Sequence, residues 1–324
     1  MRRTLGVATA LVGIAALTLA ASPVNAATLP AGDKAYILPC DYDQLGGTLY
    51  ELDTTTGLAT QVGDWVNPDE DVFSCAGPAA YNPVNGLGYW ISWADEGGFL
   101  ISVDLTTGEN TVVGEFTLEG EPYYTPIAIA IDAAGNAWAT SWDVSPDVLY
   151  SVNLSTAELT EVGPTGVTDE SDNYGLAWDS VTQTVYAYNV DSEDFYTVNT
   201  TTGAFTLFAE DVLTDVVPYA IAFDSAGQVW GINGDVISAP ITDFASAEVL
   251  SVVNPYPAEF EEDPEDNIYS ESIIIVPAPA PAPAPAPEPV LAATGSDNGN
   301  MGMLVGFGAL LVVAGAVIAR RRAA

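Results

Sequence analysis

The chain contains no histidine and few bases: six lysine and arginine residues stand against 44 aspartate and glutamate residues in 324. Without histidine it cannot build a Ser-His-Asp or Cys-His catalytic site, nor the usual histidine-containing zinc site. Without a cationic surface, and with no glycine-rich phosphate loop, it is not expected to bind nucleic acid. These absences favour a binding or structural role over an enzyme.

The N-terminal end has the pattern of a secretory signal. Arg2 and Arg3 precede an uncharged apolar stretch over residues 5–21, and Val24-Asn25-Ala26 supplies a small-x-small cleavage pattern. We expect residues 1–26 to be a signal peptide and the protein to be exported. The alternative is an uncleaved N-terminal membrane anchor.

The C-terminal end has four parts in a fixed order. A Pro-Ala segment over residues 277–290 is followed by Leu291-Ala292-Ala293-Thr294-Gly295, an apolar run over residues 301–319, and a basic tail over residues 320–324. The apolar core of that run would span about 26 Å as a helix, close to the hydrocarbon thickness of a bilayer. The terminal arginines would stay in the cytoplasm. The Pro-Ala segment is expected to be an extended stalk of roughly 40 Å.

This arrangement resembles the sorting signal of sortase-anchored Gram-positive surface proteins. The pentapeptide at residues 291–295 is similar to the L-A-x-T-G variant of L-P-x-T-G, which is typical of actinobacterial class E sortases; Ala292 replaces the commoner proline. The resemblance implies cleavage between Thr294 and Gly295 and transfer of the threonine carbonyl to cell-wall peptidoglycan. It therefore implies a membrane-anchored precursor and a final location in the cell wall. The alternative is a plain tail anchor.

The segment between the two predicted cleavage points, residues 27–294, is strongly acidic. Its only base is Lys34, and it keeps 43 of the 44 acidic residues because only Asp297 lies beyond it, so its net charge is −42. Such a surface repels anionic lipids and polyanions. Solubility, or adaptation to a salty habitat, would also account for the charge.

Cys40 and Cys75 are the only cysteines. Because an exported chain meets an oxidising environment, we expect them to form a disulfide; two free thiols are the alternative.

A repeat organises residues 34–276. Four short alternating segments end in Asp or Asn, at residues 49–53, 100–104, 149–153 and 195–199, and a turn follows each, at residues 55–57, 106–108, 155–157 and 201–203. A second alternating run follows each turn, so each copy predicts a β-hairpin. Residues 236–239 are a degenerate fifth copy.

A second hairpin precedes most of these copies. Its first strand is clearest at residues 129–132, 176–179 and 221–224, and its second strand carries an aromatic residue, Trp138, Tyr186 or Trp230. Trp90 is assigned to the same series, and Tyr36 to its first copy. We expect these aromatic side chains to be core residues between repeats and not a ligand cage.

Four short strands every 44 to 48 residues predict an all-β fold, a β-propeller of about five four-stranded blades over residues 27–276. Residues 272–276 form a spare apolar strand that could complete the first blade and close the ring. The pattern resembles the diverse bacterial propeller repeats near the WD40, NHL and quinoprotein types. It does not carry the Trp-Asp dipeptide of WD40 repeats at a repeated position, since residues 142–143 and 178–179 fall at different points of the unit. It also lacks the tryptophan of quinoprotein repeats, so no quinone cofactor is expected.

In such a ring the longer connections share one face, and here they are rich in acid. The acids fall in the connections between the second and third strands of a blade and in the links between blades, where Cys40 and Cys75 also fall. Functional loops concentrate on the irregular face of a rigid scaffold. The predicted binding face comprises Asp95, Glu96, Asp143, Asp147, Tyr174 and Tyr219.

A weak cation site is predicted at Asp191, Glu193 and Asp194, since oxygen ligands suit Ca²⁺, although the spacing is not that of an EF-hand loop. The simpler interpretation of all these acids is a solvated surface.

The leading functional hypothesis is a wall-anchored recognition or adhesion module for an unknown protein or glycan. The alternatives are a glycan-active enzyme that uses two carboxylates and a structural coat protein with no discrete ligand.

Overall fold

The computed structural model describes residues 28–40, 47–64, 72, 75–94, 97–123, 126–141, 147–167, 174–213, 217–250 and 269–278. These contain 22 β-strands, one short 3₁₀ turn and no α-helix. Every strand of the predicted repeat forms, because short alternating segments bounded by Gly, Asn and Asp turns can bury one side of each strand. The signal, stalk, pentapeptide and apolar C-terminal run lie outside the described residues.

The strands form five antiparallel four-stranded sheets, numbered here as blades 1 to 5. Blade 1 contains β1 (Lys34–Cys40), β2 (Leu49–Leu52) and β3 (Ala59–Val62), with β22 (Tyr269–Val276) paired to β1 along its length. Blade 2 contains β4 (Cys75–Asn82), β5 (Leu87–Ala94), β6 (Gly97–Asp104) and β7 (Asn110–Glu115).

The other three blades repeat this order. Blade 3 contains β10 (Pro126–Ile131), β11 (Ala137–Ser141), β12 (Val148–Val152) and β13 (Glu158–Pro164); its outer edge also pairs with a small hairpin, β8 (Thr117–Leu118) and β9 (Glu121–Pro122). Blade 4 contains β14 (Tyr174–Asp179), β15 (Thr184–Asn189), β16 (Asp194–Val198) and β17 (Phe205–Ala209). Blade 5 contains β18 (Ala220–Phe223), β19 (Gln228–Asn233), β20 (Asp235–Pro240) and β21 (Glu248–Leu250), with the 3₁₀ turn Phe244–Ser246 before β21.

The core is divided among five apolar clusters, one between each pair of neighbouring blades. Four clusters join blades 1 and 2, 2 and 3, 3 and 4, and 4 and 5, and the fifth joins blade 5 back to blade 1. Five sheets that pack in this cyclic order make a five-bladed β-propeller, which confirms the predicted all-β propeller of the repeat domain.

The repeated aromatic residues are confirmed as core between blades. Tyr36, Trp138, Tyr186 and Trp230 are at most 9% exposed, and each faces the next blade in the ring. They are therefore packing residues and not a ligand cage.

The assignment of Trp90 to this series is wrong by one residue. Ala80, two positions before the end of β4, pairs with Tyr89, just as Ala130 pairs with Trp138 in blade 3. Tyr89 faces blade 3, whereas Trp90 faces back to blade 1. Because successive side chains of a strand point to opposite faces, the shift of one residue moves the side chain to a different interface.

Neighbouring blades also meet at the rim, where the end of one outer strand meets the outer turn of the next blade. A Cβ placed on Gly108 would lie 2.0 Å from the carbonyl oxygen of Val62, and one placed on Gly203 would lie 2.2 Å from that of Gly163. The Phe205 amide donates to the Thr165 carbonyl across the boundary between blades 3 and 4 (2.7 Å). The glycines of the repeated turns thus allow backbone-to-backbone contact between blades.

Candidate interaction face

The ring has two faces that differ in construction. Within each blade the turns between strands 1 and 2 and between strands 3 and 4, counted from the axis, lie on one side, which we call the turn face. The connections between strands 2 and 3 and the links between blades lie on the other side, which we call the loop face. This division follows from the antiparallel order of the strands.

The turn face is built on Asx turns at the ends of the inner strands. Asp224 Oδ1 accepts hydrogen bonds from the amides of Ala226 (2.9 Å) and Gln228 (3.0 Å), and its Oδ2 accepts one from Trp230 Nε1 (3.0 Å). The same position in blades 2, 3 and 4 is held by Asn82, Asp132 and Asp179, each of which accepts from the amide two residues later. Because each carboxylate accepts several donors, Asp179 and Asp224 can be buried to 0% and 1% exposure.

The outer turns between strands 3 and 4 are also Asx turns. Asp53, Asp104, Asn153 and Asn199 each accept a hydrogen bond from the amide two residues later. Hydrogen bonds from Thr55 lower the pKa of Asp53, and backbone hydrogen bonds from Thr106 and Thr107 lower the pKa of Asp104. From the sequence these residues were recognised only as the ends of repeated segments, although their fixed offset from the turns was the signal of an Asx role.

Lys34 forms an ion pair within blade 1. Its Nζ lies 3.0 Å from Glu51 Oε1, and this hydrogen bond is the main cause that raises the pKa of Lys34. Nζ also lies 5.9 Å from the ring centroid of Tyr36. The one base of the predicted mature segment is therefore paired with an acid of its own blade.

The three predicted cation ligands of the loop face do not converge. Asp194 Oδ1 accepts from the Asp211 amide (3.2 Å), and its Oδ2 accepts from the Tyr196 hydroxyl (3.2 Å). Asp191 is exposed, and Glu193 has a φ of 59° within the tight turn. In the part of the chain that the structure describes, no group of three or more Asp, Glu, Cys or His side chains could hold a metal ion. In the described residues these three acids form no such group, and both carboxylate oxygens of Asp194 already accept hydrogen bonds from Tyr196 and from the Asp211 amide.

Two of these acids, Glu193 and Asp194, raise the pKa of a buried tyrosine. Tyr188 donates a hydrogen bond to the Val212 carbonyl (3.3 Å) and is 0% exposed. Burial is the main cause that raises the pKa of its hydroxyl, and the negative charges of Glu193 and Asp194 raise it further.

The structure describes only some of the residues of the predicted binding face. Tyr219 is exposed (37%), as a contact residue would be, whereas Asp147 is 2% exposed and so lies beneath the surface. Tyr174 begins β14, at the loop-face end of that strand. Asp95, Glu96 and Asp143 lie outside the described residues, as does the side chain of Tyr174.

A hydroxyl cluster near this face was not predicted. The Tyr123 hydroxyl lies 2.7 Å from Ser141 Oγ and 3.0 Å from the Tyr150 hydroxyl, and the two tyrosine rings are 5.5 Å apart. Burial raises the pKa of Tyr150, and its hydrogen bond with Tyr123 raises it further. Tyr123, which is half-buried, thus fixes the link between blades 2 and 3 to blade 3.

The two cysteines lie opposite one another. Cys40 ends β1, Cys75 begins β4, and they are register partners in the bridge that joins blades 1 and 2 at the loop face. Directly opposed residues have Cα atoms about 4.5–5.5 Å apart, a separation that a disulfide can span. Their side chains lie outside the described residues.

No family model matches the chain, and no curated protein sequence matches it. Among solved structures, the chain is similar to one titled "Crystal structure of Nidogen/Laminin Complex", with 15% identity and a TM-score of 0.49, over 75% of this chain and 98% of that one. It is also similar to TolB from Acinetobacter baumannii, with 14% identity and a TM-score of 0.43, over 69% of this chain and 54% of that one. A third is Kuenenia stuttgartiensis hydrazine synthase, with 14% identity and a TM-score of 0.36, over 58% of this chain and 52% of that one.

At these identities and TM-scores the similarities say nothing about what this chain binds. A search of the described residues for a membrane-spanning helix finds none that is sufficiently long and apolar; residues 301–319 lie outside them.

Proposed function

We propose that the protein is a cell-wall-anchored recognition module whose loop face binds a positively charged protein partner. The observation that carries this proposal is the charge: residues 27–294 contain 43 acids and one base, and that base is paired with Glu51. Charge complementarity then favours a cationic partner.

The two faces use their acids differently, which favours the loop face as the contact surface. On the turn face the repeated carboxylates accept amide hydrogen bonds of their own turns, as Asp104 and Asp132 do. On the loop face Asp191 and Tyr219 are exposed, and the acceptor of the turn that holds Asp191 is the neutral side chain of Asn189. Residues of a connection can change without loss of the fold, so binding concentrates there.

The binding proposal is tested by neutralising two acids on each face in turn. Asp191→Asn with Glu193→Gln removes two loop-face charges. Asp53→Asn with Asp104→Asn removes two turn-face charges and keeps the turn acceptors, since Asn153 and Asn199 hold the same position in other blades. We expect the loop-face pair to weaken binding of a lysine-rich peptide about two- to tenfold at low salt. Equal effects of the two pairs would contradict a loop-face site.

We further propose that the C-terminal signal attaches the chain to peptidoglycan through Thr294. The support is the order of stalk, pentapeptide, apolar run and arginines. In a host with a class E sortase, we expect the wild-type chain to be released by muralytic digestion and Thr294→Ala to stay in the membrane fraction. A Thr294→Ala chain that is still wall-linked would overturn the anchoring.

We infer that β22 closes the ring. Its pairing with β1 supports this, as does the burial of Ile273 and Ile275 against blade 5 and of Ile274 against blade 2. A strand from the C-terminal end of the domain in the same sheet as the N-terminal strands protects the edge of blade 1.

We also infer a disulfide between Cys40 and Cys75, supported by their register. It would stabilise the ring by about 3–4 kcal/mol in the chain-entropy model. The secreted chain, denatured without reductant, should then take up no alkylating reagent, and two equivalents after reduction. Uptake before reduction would show free thiols.

A further inference from the structure

The chain leaves the propeller on the turn face. β22 is the innermost strand of blade 1 and runs from the loop face to the turn face, where Pro277 and Ala278 follow it. The Ala278 amide donates to Asp33 Oδ1 (2.7 Å), and the Ser225 amide in the inner turn of blade 5 donates to Asp33 Oδ2 (2.8 Å). One carboxylate therefore holds the exit of the chain against a turn of the neighbouring blade.

The exit is packed as well as hydrogen-bonded. A Cβ built on Gly32 would lie 3.1 Å from the Cβ of Ala278, so the two segments touch. On the same face the Leu29 amide lies 3.4 Å from Thr54 Oγ1 in the outer turn of blade 1. Both the beginning and the end of the described propeller are thus fixed on the turn face.

From this geometry we propose that the propeller is displayed with its turn face toward the cell wall and its loop face outward. The proposal rests on the proposed wall anchoring, because it takes the segment that follows Ala278 as the tether. The last described residue, Ala278, is held by Asp33 on the turn face, so the turn face is the side from which the chain leaves the propeller. The loop face is then the surface that a large partner outside the cell meets first.

The orientation agrees with the proposed loop-face contact. On the turn face the acids of the repeated turns accept hydrogen bonds from their own backbone amides, as Asp104 and Asp132 do. The exposed residues Asp191 and Tyr219 lie on the side that would face outward.

Two single-cysteine additions at the opposite ends of β15 test the orientation. Val181→Cys lies on the turn face, where Val181 is 57% exposed, and Asp191→Cys lies on the loop face. The two positions are about 20 Å or more apart along one six-residue strand. Full-length chains are produced in a sortase-bearing host and labelled on intact cells with a maleimide coupled to streptavidin. Each signal is divided by that of the same chain after muralytic release, and the unsubstituted chain gives the background.

We expect Asp191→Cys to label equally on cells and after release, and Val181→Cys to label severalfold less on cells. Equal ratios for the two positions, or the reverse order, would overturn the orientation while leaving the anchoring intact. A chain absent from the muralytic fraction would overturn the anchoring, and the orientation with it. The two failures are therefore distinguishable.

Discussion

At the residue scale, the acids of this chain fall into two groups with different physical roles. Asp179 and Asp224 are buried charges, which are normally costly, and they persist because each accepts three hydrogen bonds from its own turn or from a nearby side chain. Asp191, by contrast, is exposed in a connection. The net charge therefore overstates the charge that is open to a partner.

Asp224 gives a direct test of the structural group. Asp224→Ala should lower the free energy of unfolding by about 2–4 kcal/mol, because it removes two turn acceptors and leaves Trp230 Nε1 buried without its partner. Asp224→Asn should cost clearly less, since Asn82 fills the equivalent position in blade 2. Denaturant unfolding of both variants measures the difference. A cost for alanine no larger than for asparagine would refute this role.

Because of the outer Asx turns, the folded chain is expected to lose stability at acid pH. The pKa of Asp53 and of Asp104 is lowered from 3.8 in the folded chain. A lowered folded pKa means that the stabilisation is present above the unfolded pKa and is lost as pH falls through the folded one. In about 0.15 M salt, which screens the repulsion among the acids, we expect the melting temperature to fall between roughly pH 4 and pH 2.

Asp53→Asn with Asp104→Asn should make that fall shallower, because an amide does not titrate. Thermal melts across this range compare the double variant with the wild type. An unchanged acid limb would mean that other carboxylates produce it.

At the scale of elements, contacts between blades make some turn glycines more important than others. Gly86 and Gly108 have φ values of 78° and 74°, so a substitution strains the backbone at both. A Cβ at Gly86 would meet nothing within 4 Å, whereas one at Gly108 would lie 2.0 Å from the Val62 carbonyl oxygen of blade 1. The two positions share a left-handed conformation and differ in the contact with the neighbouring blade.

We therefore expect Gly86→Ala to cost about 1–2 kcal/mol, the cost of a left-handed conformation alone. Gly108→Ala should cost clearly more, because blades 1 and 2 must move apart at the rim. Equilibrium unfolding of the two variants measures the difference. Similar costs would show that the rim contact contributes little.

The closing role of β22 is tested through Ile274, which is 0% exposed between blades 1 and 2. Ile274→Ala should lower the free energy of unfolding by about 2–5 kcal/mol. It should also speed hydrogen exchange in β1, which pairs with β22. Val249→Ala, on the outer strand of blade 5 and 40% exposed, is the matched control and should change stability by less than about 0.5 kcal/mol. Slow exchange in β1 of a destabilised Ile274→Ala chain would argue against closure by β22.

At the scale of the whole molecule, self-repulsion opposes the compact ring. A predicted mature charge of −42 acts across a Debye length of about 30 Å at 0.01 M salt but only about 8 Å at 0.15 M. We expect the melting temperature to rise by several degrees over this range of NaCl and to rise little above it. A melting temperature that does not change with NaCl concentration below about 0.15 M would show that the charges are too far apart to repel one another.

The repeat made much of the fold predictable. Alternation and turn residues indicated the blades, and the small and branched residues of β10 and β18 indicated inner strands. The choice of Trp90 over Tyr89 failed because sequence spacing does not reveal which residues pair. Four residues separate the paired Asn82 and Leu87 in blade 2, whereas only three separate Asp132 and Asn136, which share a backbone hydrogen bond in blade 3.

The site was less predictable. The acids of β16 and its turn were expected to gather around a cation, but Asp194 accepts hydrogen bonds from the Tyr196 hydroxyl and from the Asp211 amide, 17 residues further along the chain. Asp147 was expected on a binding face and is buried. Sequence shows which residues are acidic, whereas burial and hydrogen-bond partners depend on how neighbouring connections pack.

By itself the sequence determined the strand repeat, the blade count and the extreme charge, because these depend on local periodicity and composition. Only the tertiary structure decided which acids belong to the turns, which aromatic residue faces which blade, and where the chain leaves the ring. Those features join residues far apart in the chain, as Asp33 joins Ser225 and Ala278. Such contacts arise only when the five sheets pack together.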